Sequence, residues 1–164
     1  RRLRRRGERL PDPIPPLGIM IETPGAALAA DALATVADFF SIGTNDLAMY
    51  TLAVNRSESD VCSLYDPLHP AVLRLVQFAV EAALRANRPV SVCGEMASNP
   101  HLTPLLLGLG LRSFSMNASA VPRVKQAIRA VTIETCVSFA RQVMEQTDPE
   151  DIHALIFGEP EAAV

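Results

Sequence analysis

Two acids occupy matching positions in this 164-residue chain. Glu22 closes the apolar run Gly18-Ile19-Met20-Ile21, and Asp46 follows Phe39-Phe40-Ser41-Ile42 after the turn Gly43-Thr44-Asn45. Each run has the length of a short buried strand. If the two strands are parallel neighbours, both carboxylates open into one mouth. Paired carboxylates at parallel strand ends suit a hard divalent cation such as Mg²⁺, which takes oxygen ligands and leaves room for a phosphate-bearing substrate. Gly43-Thr44 adds backbone N–H groups facing an anion at a helix start. A plainer reading stands beside this one: an acid after a strand caps the next helix.

The surrounding sequence supplies the elements that would hold these acids. Pro11 to Pro16 reads as an extended connector, because each Pro disfavours helix at the residue before it. Thr23 and Pro24 have the form of a helix cap and first helical residue, opening an alanine-rich helix to about Ala37. A second strand covers 38–42 and a short helix 45–54, followed by a polar, proline-containing loop over 57–70. Val72, Leu75, Val76, Ala79, Ala83 and Ala86 recur at spacings of three and four, which predicts a helix over 71–87. Val90 to Cys93 is the third strand, 100–109 a short helix, and 113–116 a fourth strand. Helices over 120–131 and 132–146 follow, and Asp148-Pro149 opens a last one. The order is βαβαβαβα, which implies parallel strands joined by right-handed crossovers. A closed barrel of this kind has eight such repeats and about 250 residues; the present chain has half.

Composition narrows the classes. Hydrophobic residues make up 49% and charged residues 20%, a globular balance. No apolar run reaches the ~20 residues needed to span a bilayer, so no membrane insertion is expected. Pro11 to Pro16 stands where a signal peptide would have its apolar stretch. Cys62, Cys93 and Cys136 form neither a disulfide framework nor a CxxC pattern, and a reducing cytoplasm is the simplest setting. Net charge is -3, yet the first ten residues hold six Arg against one Glu. A basic arm is one signature of nucleic-acid binding. Without interleaved aromatics, and beside Leu3 and Leu10, these arginines read as the solvated end of a helix. No nucleic-acid partner is expected, and the missing initiator Met fits a chain that begins inside a larger polypeptide.

Five segments together resemble the PEP-utilising enzymes: Gly18-Ile-Met-Ile-Glu-Thr-Pro, Asp38-Phe-Phe-Ser-Ile-Gly-Thr-Asn-Asp-Leu, Leu64-Tyr-Asp-Pro-Leu-His-Pro, Val92-Cys-Gly-Glu-Met-Ala and Phe114-Ser-Met. The resemblance runs from about residue 3 to 158. It is stronger to the branch that phosphorylates a protein histidine than to the dikinase and PEP synthase branches. Those tend to carry His-Gly-Gly after Cys-Gly-Glu, where this chain has Met96-Ala97-Ser98. The implied fold is α/β: the C-terminal half, strands five to eight, of a TIM (β/α)₈ barrel. Residues 1–17 would then be the end of a helix plus connector, and 18–164 the partial barrel domain.

The resemblance also implies roles. Glu22 and Asp46 match the two protein ligands of Mg²⁺, and Asn45 matches a residue that contacts PEP. Arg56 matches a phosphate-binding arginine, whose guanidinium grips phosphate in two places; here it sits in Asn55-Arg56-Ser57 where the family usually has Asp-Arg-Gly. Cys93 matches an acid–base cysteine. A protonated thiol there would give its proton to C3 of pyruvate enolate once PEP has lost its phosphoryl group. The commoner fate of a strand cysteine is the core. Glu95 is read as tuning the thiol or orienting its loop. His69, His101 and His153 lack the family's phosphohistidine context and are expected to be structural or exposed. The implied partners are PEP and pyruvate, an HPr-type carrier reached through domains this chain lacks, and a second copy in a homodimer. Two readings compete with a working enzyme: a noncatalytic half-barrel acting through oligomerisation or a partner, and a binding module using the arginine arm.

Overall fold

Three short strands carry the site, and they pair in parallel. The computed structural model describes residues 2–54 and 64–158; Arg56 and Cys62 lie outside them. Strand β1 (Gly18–Ile21) pairs with β2 (Phe39–Gly43), and β2 with β3 (Val90–Cys93), in the order β1-β2-β3. The register sets Met20 against Ser41 and Ser41 against Ser91, and, two residues on, Gly43 against Cys93. Alternation along each strand then divides the sheet into two faces. Ile21, Phe40, Ile42, Val90 and Val92 share the buried face. Gly18, Met20, Phe39, Ser41, Gly43, Ser91 and Cys93 share the other, where Met20 is 45% and Phe39 36% exposed.

Helices seal the apolar face. After α1 (Arg2–Arg5), α2 (Pro24–Leu28) begins where Thr23 Oγ1 accepts the Ala26 N–H at 3.2 Å, as its Thr-Pro start predicts. The alanine-rich segment was expected as one helix to about Ala37. It breaks at Ala29, resumes as α3 (Ala30–Leu33), and ends early where Thr35 Oγ1 donates to the Ala32 carbonyl. Ala27, Ala30, Ala34 and Ala37 are buried, and their small side chains let this segment lie close on α5 (Pro70–Arg85). The predicted stripe of α5 is buried at Val72, Val76, Ala79 and Ala83. Asn87, at φ 53, ends α5: Arg88 N–H reaches the Ala83 carbonyl and Asn87 N–H the Leu84 carbonyl. That is the Schellman pattern, with Asn in the left-handed position glycine usually takes.

The fourth predicted strand shrinks to a single parallel bridge between Val92 and Phe114. Val92 N–H donates to the Ser113 carbonyl and Ser115 N–H to the Val92 carbonyl, two bonds that extend the edge of β3 without building a ladder. Among the described residues, then, the sheet is α/β with three parallel strands. The rest of the described chain is largely helical. Short α4 (Thr44–Leu52) and α6 (Glu95–Ser98) leave the ends of β2 and β3, the latter as a turn the sequence did not predict. A 3-10 turn (Pro100–Leu102), α7 (Thr103–Gly108), α8 (Val121–Arg129), α9 (Ile133–Glu145) and α10 (Pro149–Phe157) complete it. Thr132 and Thr135 close a capping box on α9, and Asp148 Oδ1 accepts the Glu150 N–H at 2.9 Å to cap α10. Among the described residues, no helix is long and apolar enough to cross a membrane.

Candidate functional site

The C-terminal ends of β1, β2 and β3 meet at one rim. Glu22 follows β1 directly, and a methyl group placed on Gly43 would lie 3.1 Å from Glu22 Cβ and 3.3 Å from its Oε2. The carboxylate therefore leans over the end of β2, in space that glycine leaves open. Gly43 is paired with Cys93, so Glu22 and the thiol flank the same residue. Asn45 and Asp46 occupy the first turn of α4, which starts immediately beyond Gly43. Asn45 and Cys93 line one open cavity of about 440 Å³, completed by Gly94, Glu95, Ser98 and Ser115 to Asn117.

Two side chains lock the turn after β3 onto α4. Thr44, fully buried, donates from Oγ1 to the Cys93 carbonyl at 3.0 Å. Asn45 Oδ1 accepts the Glu95 N–H at 3.0 Å. With Oδ1 engaged, the Asn45 amide has its N–H donors left for other partners. This closeness explains Gly94. It sits at φ 93, and an added methyl would lie 2.6 Å from Thr44 Oγ1 and 2.8 Å from Asn45 Oδ1. Glu95 thus serves the loop through its backbone, and Ser98 Oγ donates to its carbonyl at 2.9 Å. Tyr65 reaches in from the other side, its hydroxyl 3.4 Å from the Asn45 carbonyl.

Cys93 is half-buried and its sulfur has three neighbours. Ser41 Oγ–H donates to Sγ at 3.7 Å, and the thiol faces the Ile42 carbonyl at 3.4 Å and Met20 Sδ at 3.9 Å. Cys136 differs: it is buried on α9, and burial pushes its thiol up, only partly opposed by the charge of Arg112. The histidines are engaged elsewhere. His69 Nδ1 caps α5 through the Ala71 N–H, the His101 ring packs tilted against Phe157, and His153 Nε2 meets Asp66 at 3.1 Å.

Ser41 and Met20 were not singled out from the sequence, and Thr44 only for its backbone N–H. Period-two alternation would have found Ser41, two residues before Gly43 on the same face, and Met20, two before Glu22. Thr44 gave no local signal for its bond, because the bond spans 49 residues. Among the described residues, no three His, Cys, Asp or Glu side chains cluster as a protein-only metal cage. Glu22 at the end of β1 and Asp46 in the first turn of α4 are oxygen donors of the kind a cation takes when its other oxygens come from water and substrate, as Mg²⁺ does, though neither lines the cavity itself.

A parallel sheet with its polar residues gathered at the C-terminal strand ends is the arrangement of phosphate- and nucleotide-handling α/β proteins. The sequence narrows this further. The profile of the "PEP-utilising enzyme, PEP-binding domain" matches residues 1–133, and the chain belongs to that family. It is 49% identical over 151 residues to a phosphoenolpyruvate-protein phosphotransferase of Cupriavidus necator, covering 92% of this chain and 26% of that one. Proteins of the same name from Mycoplasma genitalium and Haemophilus influenzae are 46% and 44% identical, each over 85% of this chain and 24% of their own. The chain thus spans about a quarter of the length of these relatives.

Proposed function

We infer that this chain supplies the C-terminal part of the PEP site of a phosphoenolpyruvate–protein phosphotransferase, the enzyme I class of the bacterial phosphotransferase system. The carrying observation is the convergence of Glu22, Asn45 and Cys93 on the strand ends around Gly43, with Asp46 in the same helical turn as Asn45. In the complete protein the phosphoryl group of PEP would pass to an enzyme histidine and on to an HPr-type carrier, releasing pyruvate. The three parallel strands and the Phe114 bridge are read as strands five to eight of a (β/α)₈ barrel, with 18–164 its partial domain and 1–17 a helix end and connector. The reading includes a cytoplasmic homodimer.

Each residue has a task. Glu22 and Asp46 would hold Mg²⁺, which when bound would supply positive charge to offset the charge developing on the substrate. Asn45 offers its amide N–H groups toward the substrate. Arg56, outside the described residues, would grip the phosphate. Cys93 hands its proton to C3: the S–H bond breaks, the enolate electron pair forms a C–H bond, and sulfur keeps its own pair as thiolate. Catalysis then rests on positioning and charge rather than on a nucleophile in this chain.

The test uses oxalate, which resembles pyruvate enolate. Titration calorimetry should show oxalate binding that requires Mg²⁺ and is weakened at least tenfold by Asp46→Asn or Glu22→Gln. Oxalate binding that ignores both Mg²⁺ and these substitutions would sink the reading. Sustained pyruvate release by the chain alone, given PEP, Mg²⁺ and HPr, would sink the narrower proposal that it is only part of the site.

A further inference from the structure

We propose that Ser41 is a positioning residue for proton delivery, holding the sulfur of Cys93 and stabilising the thiolate left behind. The proposal rests on the reading of Cys93 as the proton donor. A thiol that acts as an acid has two needs. Its S–H must be aimed before transfer, and its sulfur must be solvated afterwards without opening the site to water. The structure places a group for each. Before transfer, the thiol proton has acceptors in the Ile42 carbonyl at 3.4 Å and Met20 Sδ at 3.9 Å. Neither can help the thiolate, since neither is a donor. Ser41 Oγ–H can, and it points at the sulfur from 3.7 Å.

The pairing of the strands makes this contact specific. Ser41 and Ser91 face each other across β2 and β3, on the same face as Cys93. Ser91 spends its proton on the Phe40 carbonyl at 3.3 Å, a purely structural bond. Ser41 lies two residues from Gly43, and Gly43 is the register partner of Cys93. Its hydroxyl is thereby delivered to the flank of the sulfur. Met20 closes the opposite side, also fixed by register against Ser41. Once S–H breaks and the new C3–H bond forms, the charge on sulfur draws the Ser41 hydroxyl closer; a hydrogen bond to an ionised group is roughly twice as strong as a neutral one.

The experiment measures thiolate reactivity, which needs no PEP. Wild type, Ser41→Ala and Ser41→Thr are alkylated with iodoacetamide at pH 7, and the rate at Cys93 is read by peptide-resolved mass spectrometry. Glu22, Asp46 and Glu95, the charged groups of the rim, are common to all three proteins. Ser41→Ala should slow Cys93 about three- to tenfold, the range of an ordinary hydrogen bond, as suits a contact as long as 3.7 Å. Ser41→Thr, which keeps the hydroxyl, should restore the rate. At pH 10, where a thiol ionises unaided, the three rates should converge. Equal rates for wild type and Ser41→Ala at pH 7 would overturn the proposal. So would a Ser41→Thr rate as slow as that of Ser41→Ala, or a difference undiminished at pH 10, since either would trace the effect to packing or access. The underlying reading fails separately: in the full-length phosphotransferase, Cys93→Ala forming keto pyruvate at the wild-type rate with no enolpyruvate released would remove Cys93 as the acid while leaving the alkylation result standing.

Discussion

The rim of the sheet and the α7–α9 crossing are both tightly built, by different means. At the crossing, backbone meets backbone: a methyl group on Gly108 would overlap the Cys136 carbonyl oxygen, and Leu105, Leu106, Ala140 and Val143 are buried around it. At the rim, side-chain atoms meet backbone through hydrogen bonds, Thr44 to the Cys93 carbonyl and Asn45 from the Glu95 N–H. The first region resists change through packing density, which is intolerant of volume. The second resists through direction, and keeps polar groups aimed at an open cavity. Stability and site geometry are therefore separable in this molecule.

The largest effect should come from the crossing. In Gly108→Ala the methyl meets a backbone carbonyl that cannot rotate away, so α7 and α9 must part. The expected cost is about 2–3 kcal/mol, read as a lowered urea midpoint. The fraction still folded should alkylate Cys93 at the wild-type rate; a slowed rate there would join the two regions that we separate. A smaller loss of stability is expected at the rim. Gly94→Ala forces a side chain to φ 93 and presses on Thr44 and Asn45, whose side chains can yield. Strain of about 1–2 kcal/mol is expected. The site should suffer more than the fold, with Mg²⁺-dependent oxalate binding lost. Unimpaired oxalate binding by a folded Gly94→Ala protein would show that the Asn45–Glu95 lock does not shape the site.

The same division explains what could be read from the sequence. Local signals were sufficient for Thr23-Pro24, Asp148-Pro149 and the apolar stripe of α5, because caps and helix faces are set by residues within one or two turns. The strands β1, β2 and β3 were legible as apolar runs ended by turn residues. The segment 113–116 shows the limit: its alternation resembles a strand, but a ladder depends on a distant partner, and here only Val92 supplies one. Alanine gave a strong helix signal over 24–37 yet nothing to resist the break at Ala29. Glu22 and Asp46 could be named from their places after apolar runs, and Asn45 and Cys93 because their motifs carry a resemblance. Alternation puts Ser41 and Met20 on the site's face, but the register was needed to set them beside the sulfur of Cys93.

The smallest effect concerns the second described cysteine, and it tests the crossing alone. Cys136 is 1% exposed, and burial raises its thiol above the ordinary range. The folded protein therefore keeps this proton at a pH where the unfolded chain, with an ordinary thiol near about 8.5, has begun to lose it. Above that pH the unfolded state binds fewer protons than the folded one, so stability falls as pH rises. The decline ends once the folded thiol also ionises. Cys136→Ala removes the thiol and with it this part of the slope, at the separate cost of a small cavity. Urea midpoints at pH 7 and pH 10 isolate the electrostatic part: the variant should lose less, relative to wild type, at pH 10 than at pH 7. Gly94→Ala, at the rim, should lose the same amount at both. An equal loss for Cys136→Ala at the two values would mean that the α7–α9 crossing admits enough water to solvate the thiolate, and that its packing is looser than its geometry implies.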